Sequence, residues 1–201
     1  FDGQISGISY GHGVFRSTDS GSSWIPTNNG ISSNWINKLA INPVNNDLYA
    51  AGLNSNAVYK SSGNGNNWTK VIDEQTANAF TFNSNGDVFA AIYNSGIYRS
   101  SNNGMSWISV SSGLPAGPVL KLPNEVSTEQ NFRRHHRFNT EQNKSIYKST
   151  GISSTVNITA LSIDGHGTIY AGAYGEIYSS SDNGEEWTII TNNLGNGWVT
   201  S

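Results

Sequence analysis

Apolar residues in this chain come in short alternating runs, and the runs return in a fixed order. "INKLAIN" (36–42), "NAFTFN" (78–83) and "ITALSID" (158–164) carry apolar side chains at alternate positions, the pattern of a half-buried strand. A second series follows at Leu48-Tyr49, Val88-Phe89 and Ile169-Tyr170. A third stands eight to ten residues further on, at Val58-Tyr59, Ile97-Tyr98 and Ile177-Tyr178. Val14-Phe15 and Ile146-Tyr147 belong to the third series as well. The fourth begins at Trp24, Trp68, Trp107 and Trp187. Turn-forming clusters such as "NPVNND", "NSNGD" and "DGHGT" separate the runs. Each unit therefore predicts four short strands joined by tight turns.

The hinge between the third and fourth runs is written almost identically each time: "STDSGSSW" (17–24), "SSGNGNNW" (61–68), "SSNNGMSW" (100–107) and "SSDNGEEW" (180–187). The closing Trp residues are 44, 39 and 80 positions apart. The last interval is about two periods of the others, so the pattern predicts one unit that has lost its Trp. Four strands per unit at a period near 40 is the signature of a β-propeller blade, whose apolar faces are buried only by stacking on neighbours. The expected fold is thus all-β: a propeller of four-stranded antiparallel blades, about five units, one of them degenerate. A solenoid of β-units is the other architecture such a period allows.

Within the hinge each letter has a turn chemistry. Asp19 and Asp182 can accept N–H groups of their own turn. Gly21, Gly65, Gly104 and Gly184 can take a positive φ. Ser17, Ser61, Ser100 and Ser180 offer hydroxyls to the same turn. Trp24, Trp68, Trp107 and Trp187 are expected to cap the apolar side of their own hairpins. Asp19 and Asp182 belong to different units, too far apart to share a bond-cleaving role. The expected role of all these residues is structural.

The hinge resembles the Asp-box of BNR-repeat propellers, Ser-x-Asp-x-Gly-x-x-Trp. The first and last copies match it in full; Asn102 and Gly63 stand where the other two would have Asp. That resemblance implies the fold and the position of the box between third and fourth strands. It does not select a function, because sialidases, sortilin-type receptors, xyloglucanases and photosystem-assembly factors share the box.

Composition narrows the partners. The 201 residues include 12% charged residues with a net charge of −3, which disfavours a general nucleic-acid binder. The absence of Cys removes disulfides and thiolate metal sites, and no cofactor or metal is expected. No apolar run reaches the roughly 18 residues of a membrane span. The start at Phe1 suggests part of a longer polypeptide. The termini read as halves of one unit: "WVTS" (198–201) followed by "FDGQISG" (1–7) parallels "ITALSIDGHGTIYAG" (158–172), so the last residues are a candidate inner strand for the first unit. A window cut from a longer array would give the same ends.

Residues 118–150, an atypical stretch within a single 1–201 propeller domain, contain no Gly and six of the eleven Lys and Arg residues. "NFRRHHRFN" (131–139) lies inside. Three readings stay open: a basic loop for an anionic partner, a solvated insertion, or a blade scrambled by a local frameshift. His12 and His166 sit in "GHG" turns and read as solvated turn residues. Asp2, Asp47, Asp87 and Asp164 are expected as turn formers, one per blade, between first and second strands.

Two functional classes follow. One is a non-catalytic propeller, a binding or scaffold module of a larger secreted or surface bacterial protein, with a protein or carbohydrate partner. The other is a propeller fragment of a glycoside hydrolase. A sialidase needs an arginine triad, and Arg16 and Arg99 are the only arginines outside the atypical stretch. The xyloglucanase-like version is therefore the stronger of the enzyme readings.

Overall fold

The computed structural model describes residues 4–6, 13–33, 35–53, 55–114, 147–148, 156–191 and 199–200. These form strands and turns, with no helix among the described residues. The first sheet holds β1 (Gln4–Ser6), β2 (Phe15–Ser17) and β3 (Ile25–Pro26). The second is a meander of β4 (Ile36–Ile41), β5 (Leu48–Gly52), β6 (Ala57–Ser61) and β7 (Thr69–Ile72). The third comprises β8 (Ala77–Phe82), β9 (Val88–Ile92), β10 (Gly96–Ser100) and β11 (Trp107–Ser109). A short β12 (Tyr147–Lys148) lies parallel to β11 at its edge, Trp107 opposite Tyr147. The fourth sheet is β13 (Ala160–Ile163), β14 (Ile169–Gly172), β15 (Ile177–Ser180) and β16 (Thr188–Thr191). All pairs except β11–β12 are antiparallel.

Alternation along the second strands explains how the sheets stack. Leu48 and Ala50 point one way, into a cluster with Val14 of the first sheet and Trp68. Tyr49 and Ala51 point the other way, into a cluster with Val88, Ala90 and Trp107. Phe89 and Ala91 then face a third cluster with Ile169, Ala171 and Trp187. Each core cluster is the seam between two sheets, which is the burial a blade needs and cannot make alone. Burying one such Leu, Ile or Phe side chain contributes about 2–3 kcal/mol.

Three expectations change here. The fourth sheet docks directly on the third: Trp187 Nε1 donates to Val110 O at 2.6 Å, as Trp68 Nε1 donates to Thr27 O of the first sheet at 2.9 Å. The described residues thus form four sheets in one row, and the 80-residue interval between Trp107 and Trp187 does not place a sheet between theirs. Tyr147, expected on a third strand of its own unit, instead adds to the edge of β11; the rest of 118–150 lies outside the described residues. Val199, expected in the inner strand of the first unit, is held by the fourth sheet. Its N–H donates to Ala173 O at 3.3 Å, and its carbonyl accepts from Thr159 Oγ1 at 2.5 Å.

The Trp residues were expected to cap their own hairpins. Trp68, Trp107 and Trp187 lie in the seams, and the indoles of Trp68 and Trp187 also reach the outer strand of the preceding sheet. Trp68 and Trp187 make a second link, their N–H groups donating to Asn29 O and Ser112 O. Those carbonyls sit in matching turns after β3 and β11, closed by Ile31 N to Asn28 O and Leu114 N to Ser111 O.

Candidate functional site

The four hinge copies are hairpin turns of one design. The two central residues both have positive φ: Ser20 and Gly21 (59° and 88°), Asn64 and Gly65 (55° and 83°), Asn103 and Gly104 (58° and 83°), Asn183 and Gly184 (59° and 88°). Two consecutive positive φ values make a type I′ turn, whose twist suits a tight hairpin. Asn is the side-chain-bearing residue that best tolerates this region, and it fills the first central position in three copies.

The polar letters close the turn on itself. The hydroxyls of Ser17, Ser61, Ser100 and Ser180 accept the N–H of Gly21, Gly65, Gly104 and Gly184 at 2.8 to 3.1 Å. Ser17 and Ser180 donate in turn to Asp19 Oδ1 and Asp182 Oδ1, at 2.7 and 2.6 Å. Asp19 also accepts from Ser23 N and Ser23 Oγ, and Asp182 from Glu186 N. These bonds, first among them the Ser23 hydroxyl, hold the Asp19 carboxyl down at about 2; the Ser180 hydroxyl chiefly lowers Asp182. A lowered carboxyl stabilises the fold fully above its ordinary range near 4. That contribution is lost as pH falls through the folded value. Titration of the Asp19 carboxyl carbon by NMR is expected to show a midpoint near 2, and a midpoint near 4 would remove the hydrogen-bonded description.

Asn102 shows what the position requires. Its Oδ1 accepts Ser106 N at 2.9 Å and Ser100 Oγ at 3.0 Å, as Asp182 does with Glu186 N and Ser180 Oγ. An amide oxygen is enough for the turn. Asp182→Asn is therefore expected to leave the urea midpoint almost unchanged, whereas a large loss would mean that the charge itself is needed.

The other carboxylates are partnered as well. Asp47 pairs with Lys60 at 2.8 Å and Asp87 with Arg99 at 2.6 Å, across the second and third strands of their sheets. Arg99 also lies over the Phe89 ring, 5.9 Å from its centre. Asp164 does not continue this series. Its N–H donates to Thr168 O just as Asn42 and Asn83 donate to Asp47 O and Asp87 O, so Asp164 occupies the Asn position. There it accepts His166 N and Thr168 N, bonds that lower its pKa with the Thr168 bond dominant. His166 is an exposed turn residue. Asp2 and His12 lie outside the described residues, as does the expected basic run 131–139. Among the described residues no group of three acidic or His side chains could hold a metal.

A groove of roughly 540 Å³ runs between the second and third hinge turns, lined by Lys60, Lys70, Asn67, Asn103 and Met105. It opens where Gly63 replaces Asp; a Cβ on Gly63 would meet nothing within 4 Å. Both lysines already have carboxylate partners, Asp47 and Asp73.

At the opposite ends of the sheets a different surface appears. Leu53 and Tyr93 directly follow the second strands of their sheets, Tyr174 stands one residue further past β14, and each is exposed. Leu53 N donates to the carbonyl of Trp35, which is exposed too. The row adds one apolar side chain to each of the second, third and fourth sheets at the turn between second and third strands. Its sequence signal was the fifth position after Leu48, Val88 and Ile169, which passes for the tail of the strand unless the units are aligned.

These sheets, meanders and seams define a propeller-like all-β protein. No family model matches the chain, and no curated protein matches it. Among solved structures it is similar to an ancestral GH74 enzyme, with a TM-score of 0.63 and 18% identity over 92% of this chain. The GH74 xyloglucanase from Xanthomonas campestris gives 0.62 and 14% over 94%, and the GH74 enzyme of Niastella koreensis 0.58 and 22% over 91%. The matched parts are 22%, 28% and 27% of those chains, so this chain spans about a quarter of their length. Likeness at this identity shows a shared fold. No helix of the described residues is long and apolar enough to cross a membrane.

Proposed function

We propose that the chain is a run of Asp-box propeller blades serving as a non-catalytic binding module of a larger secreted or surface protein. The observation that carries this reading is the exposed row of Trp35, Leu53, Tyr93 and Tyr174 at one end of the sheets. Around it stand neutral hydroxyl and amide groups, Ser55, Ser95 and Gln75, the last two bonded to each other at 3.1 Å. Aromatic faces beside neutral hydrogen-bonding groups suit a carbohydrate or a polar protein surface. The hinge residues are occupied by their own turns, which supports a structural role for the box. The direct meeting of the third and fourth sheets supports reading 118–150 as an insertion rather than as a blade of its own.

A second reading, a fragment of a glycoside hydrolase, is favoured by the GH74 enzymes among its structural neighbours. Purified protein separates the two. Binding to a polysaccharide or protein array with no turnover of xyloglucan oligosaccharides or aryl sialosides is the expected result. Tyr93→Ala with Tyr174→Ala is expected to weaken that binding at least about tenfold, as loss of two stacking side chains should. Turnover that disappears on Asp47→Asn or Asp87→Asn, with folding intact, would establish the enzyme reading instead.

A further inference from the structure

One hinge lacks an acceptor that the other three supply. In those three a single oxygen, Oδ1 of Asp19, Asn102 or Asp182, takes two bonds. It accepts the box Ser hydroxyl at 2.6 to 3.0 Å and the N–H four residues further on at 2.9 to 3.1 Å. Gly63 stands at that position in the second hinge, so the chain provides no such oxygen there. The two donors are nevertheless in position. Ser61 Oγ accepts Gly63 N at 3.3 Å and Gly65 N at 3.1 Å, as Ser17 Oγ accepts Asp19 N at 3.3 Å and Gly21 N at 2.8 Å. The same frame directs the Ser61 O–H to the place that the Asp19 carboxylate fills in the first hinge. Ser61 is 1% exposed, and among the described residues neither its O–H nor the Asn67 N–H has an acceptor. A buried donor without an acceptor is unfavourable.

The same place opens into the groove between the second and third hinges, to which Gly63 and Asn67 both contribute. Lys60 and Lys70 line that groove, and no carboxylate of the described residues does. Each ammonium has three N–H donors and one carboxylate partner, Asp47 or Asp73, so each keeps donors for a further acceptor. A Cβ on Gly63 would meet nothing within 4 Å, so no packed side chain of the described residues occupies the place.

We propose that this groove binds a carboxylate, which takes the place of the absent Asp side chain. One carboxylate oxygen accepts from Ser61 Oγ and Asn67 N, and the other faces Lys60 and Lys70. Neither of the first two bonds needs a charge, as Asn102 shows; the lysines are what favour an anion over an amide. The carboxylate is that of a free small acid or of a sugar acid, and roughly 540 Å³ gives room for the larger ligand. The site lies at the hinge end of the sheets and does not depend on what the exposed aromatic row binds.

Amide NMR of the full chain tests it, with acetate and glucuronate as probes and chloride at equal ionic strength as the control. The expected result is a saturable shift of the Asn67 amide with a carboxylate and none with chloride. Gly63→Asp supplies the acceptor from the chain itself, so it should weaken binding at least about tenfold. Gly63→Asn should do the same, because a neutral amide fills the place without repelling the ligand. Glucuronate binding at least about tenfold tighter than acetate identifies the sugar acid, and a smaller difference shows that the carboxylate alone is read. Tyr93→Ala with Tyr174→Ala should leave this titration unchanged, which keeps it separate from the test of the aromatic row. No saturable Asn67 shift with either acid overturns the proposal. So does a shift that chloride reproduces, or an affinity that the folded Gly63 variants leave intact.

Discussion

Gly113→Ala is expected to destabilise the fold by about 3 kcal/mol, although it adds a single methyl group on a surface turn. Two costs combine. Gly113 has φ +84°, a region where an ordinary side chain costs about 1–2 kcal/mol. Its Cβ would also stand 2.4 Å from Trp187 O and 3.1 Å from Trp187 N, both backbone atoms that cannot rotate away. The turn would have to withdraw from the fourth sheet, breaking the 2.9 Å bond from Trp187 N to Ser112 O. Gly30 stands in the same relation to Trp68, at φ +92°, and its Cβ would lie 2.0 Å from Trp68 O. Equilibrium urea unfolding should show the loss for Gly113→Ala. The same change at Gly63, where a Cβ meets nothing, should leave the midpoint nearly in place.

The local design was legible because each strand and turn depends on near neighbours. Alternation set the strands, and Gly21, Gly65, Gly104 and Gly184 all have the positive φ that a tight hairpin turn requires. What lay between sheets was not legible in the same way. The indoles of Trp68 and Trp187 reach Thr27 and Val110, 41 and 77 positions away, and no local pattern encodes a partner so distant. Counting periods from Trp107 to Trp187 assumed that sequence distance measures position in the row, whereas a connection can leave the row and return to the adjacent place. Asp164 was grouped with Asp47 and Asp87 by residue type. Its register, set by the Thr168 carbonyl, aligns it with Asn42 and Asn83. The exposed row of Leu53, Tyr93 and Tyr174 escaped notice for the opposite reason: apolar residues at strand ends read as core until exposure is known.

The second large effect separates two Trp residues that look alike in sequence. Trp187→Ala should cost about 3–5 kcal/mol, the usual range for emptying a buried Trp site. Trp187→Phe should still cost about 1–3 kcal/mol, because the buried Val110 carbonyl would lose its 2.6 Å donor. Trp107 is equally buried, at 3%, yet its Nε1 has no partner among the described residues. The cause lies in the preceding strand. Thr27 N donates to Val14 O and Val110 N to Ile97 O, and these two residues stand three after Trp24 and Trp107, but the shifted register of β7 puts Ile72, opposite Val58, four residues after Trp68. The extra residue moves the acceptor carbonyl away from the indole. The turn that follows also has Gln75 where the others have Gly30 and Gly113, so it lacks the close approach those glycines allow. Replacing an unpaired buried donor removes a penalty, so Trp107→Phe should change stability by less than about 1 kcal/mol in either direction. Urea midpoints of the two Phe variants, measured side by side, decide the matter. Equal losses would mean that indole volume rather than the hydrogen bond across the seam sets the requirement for Trp.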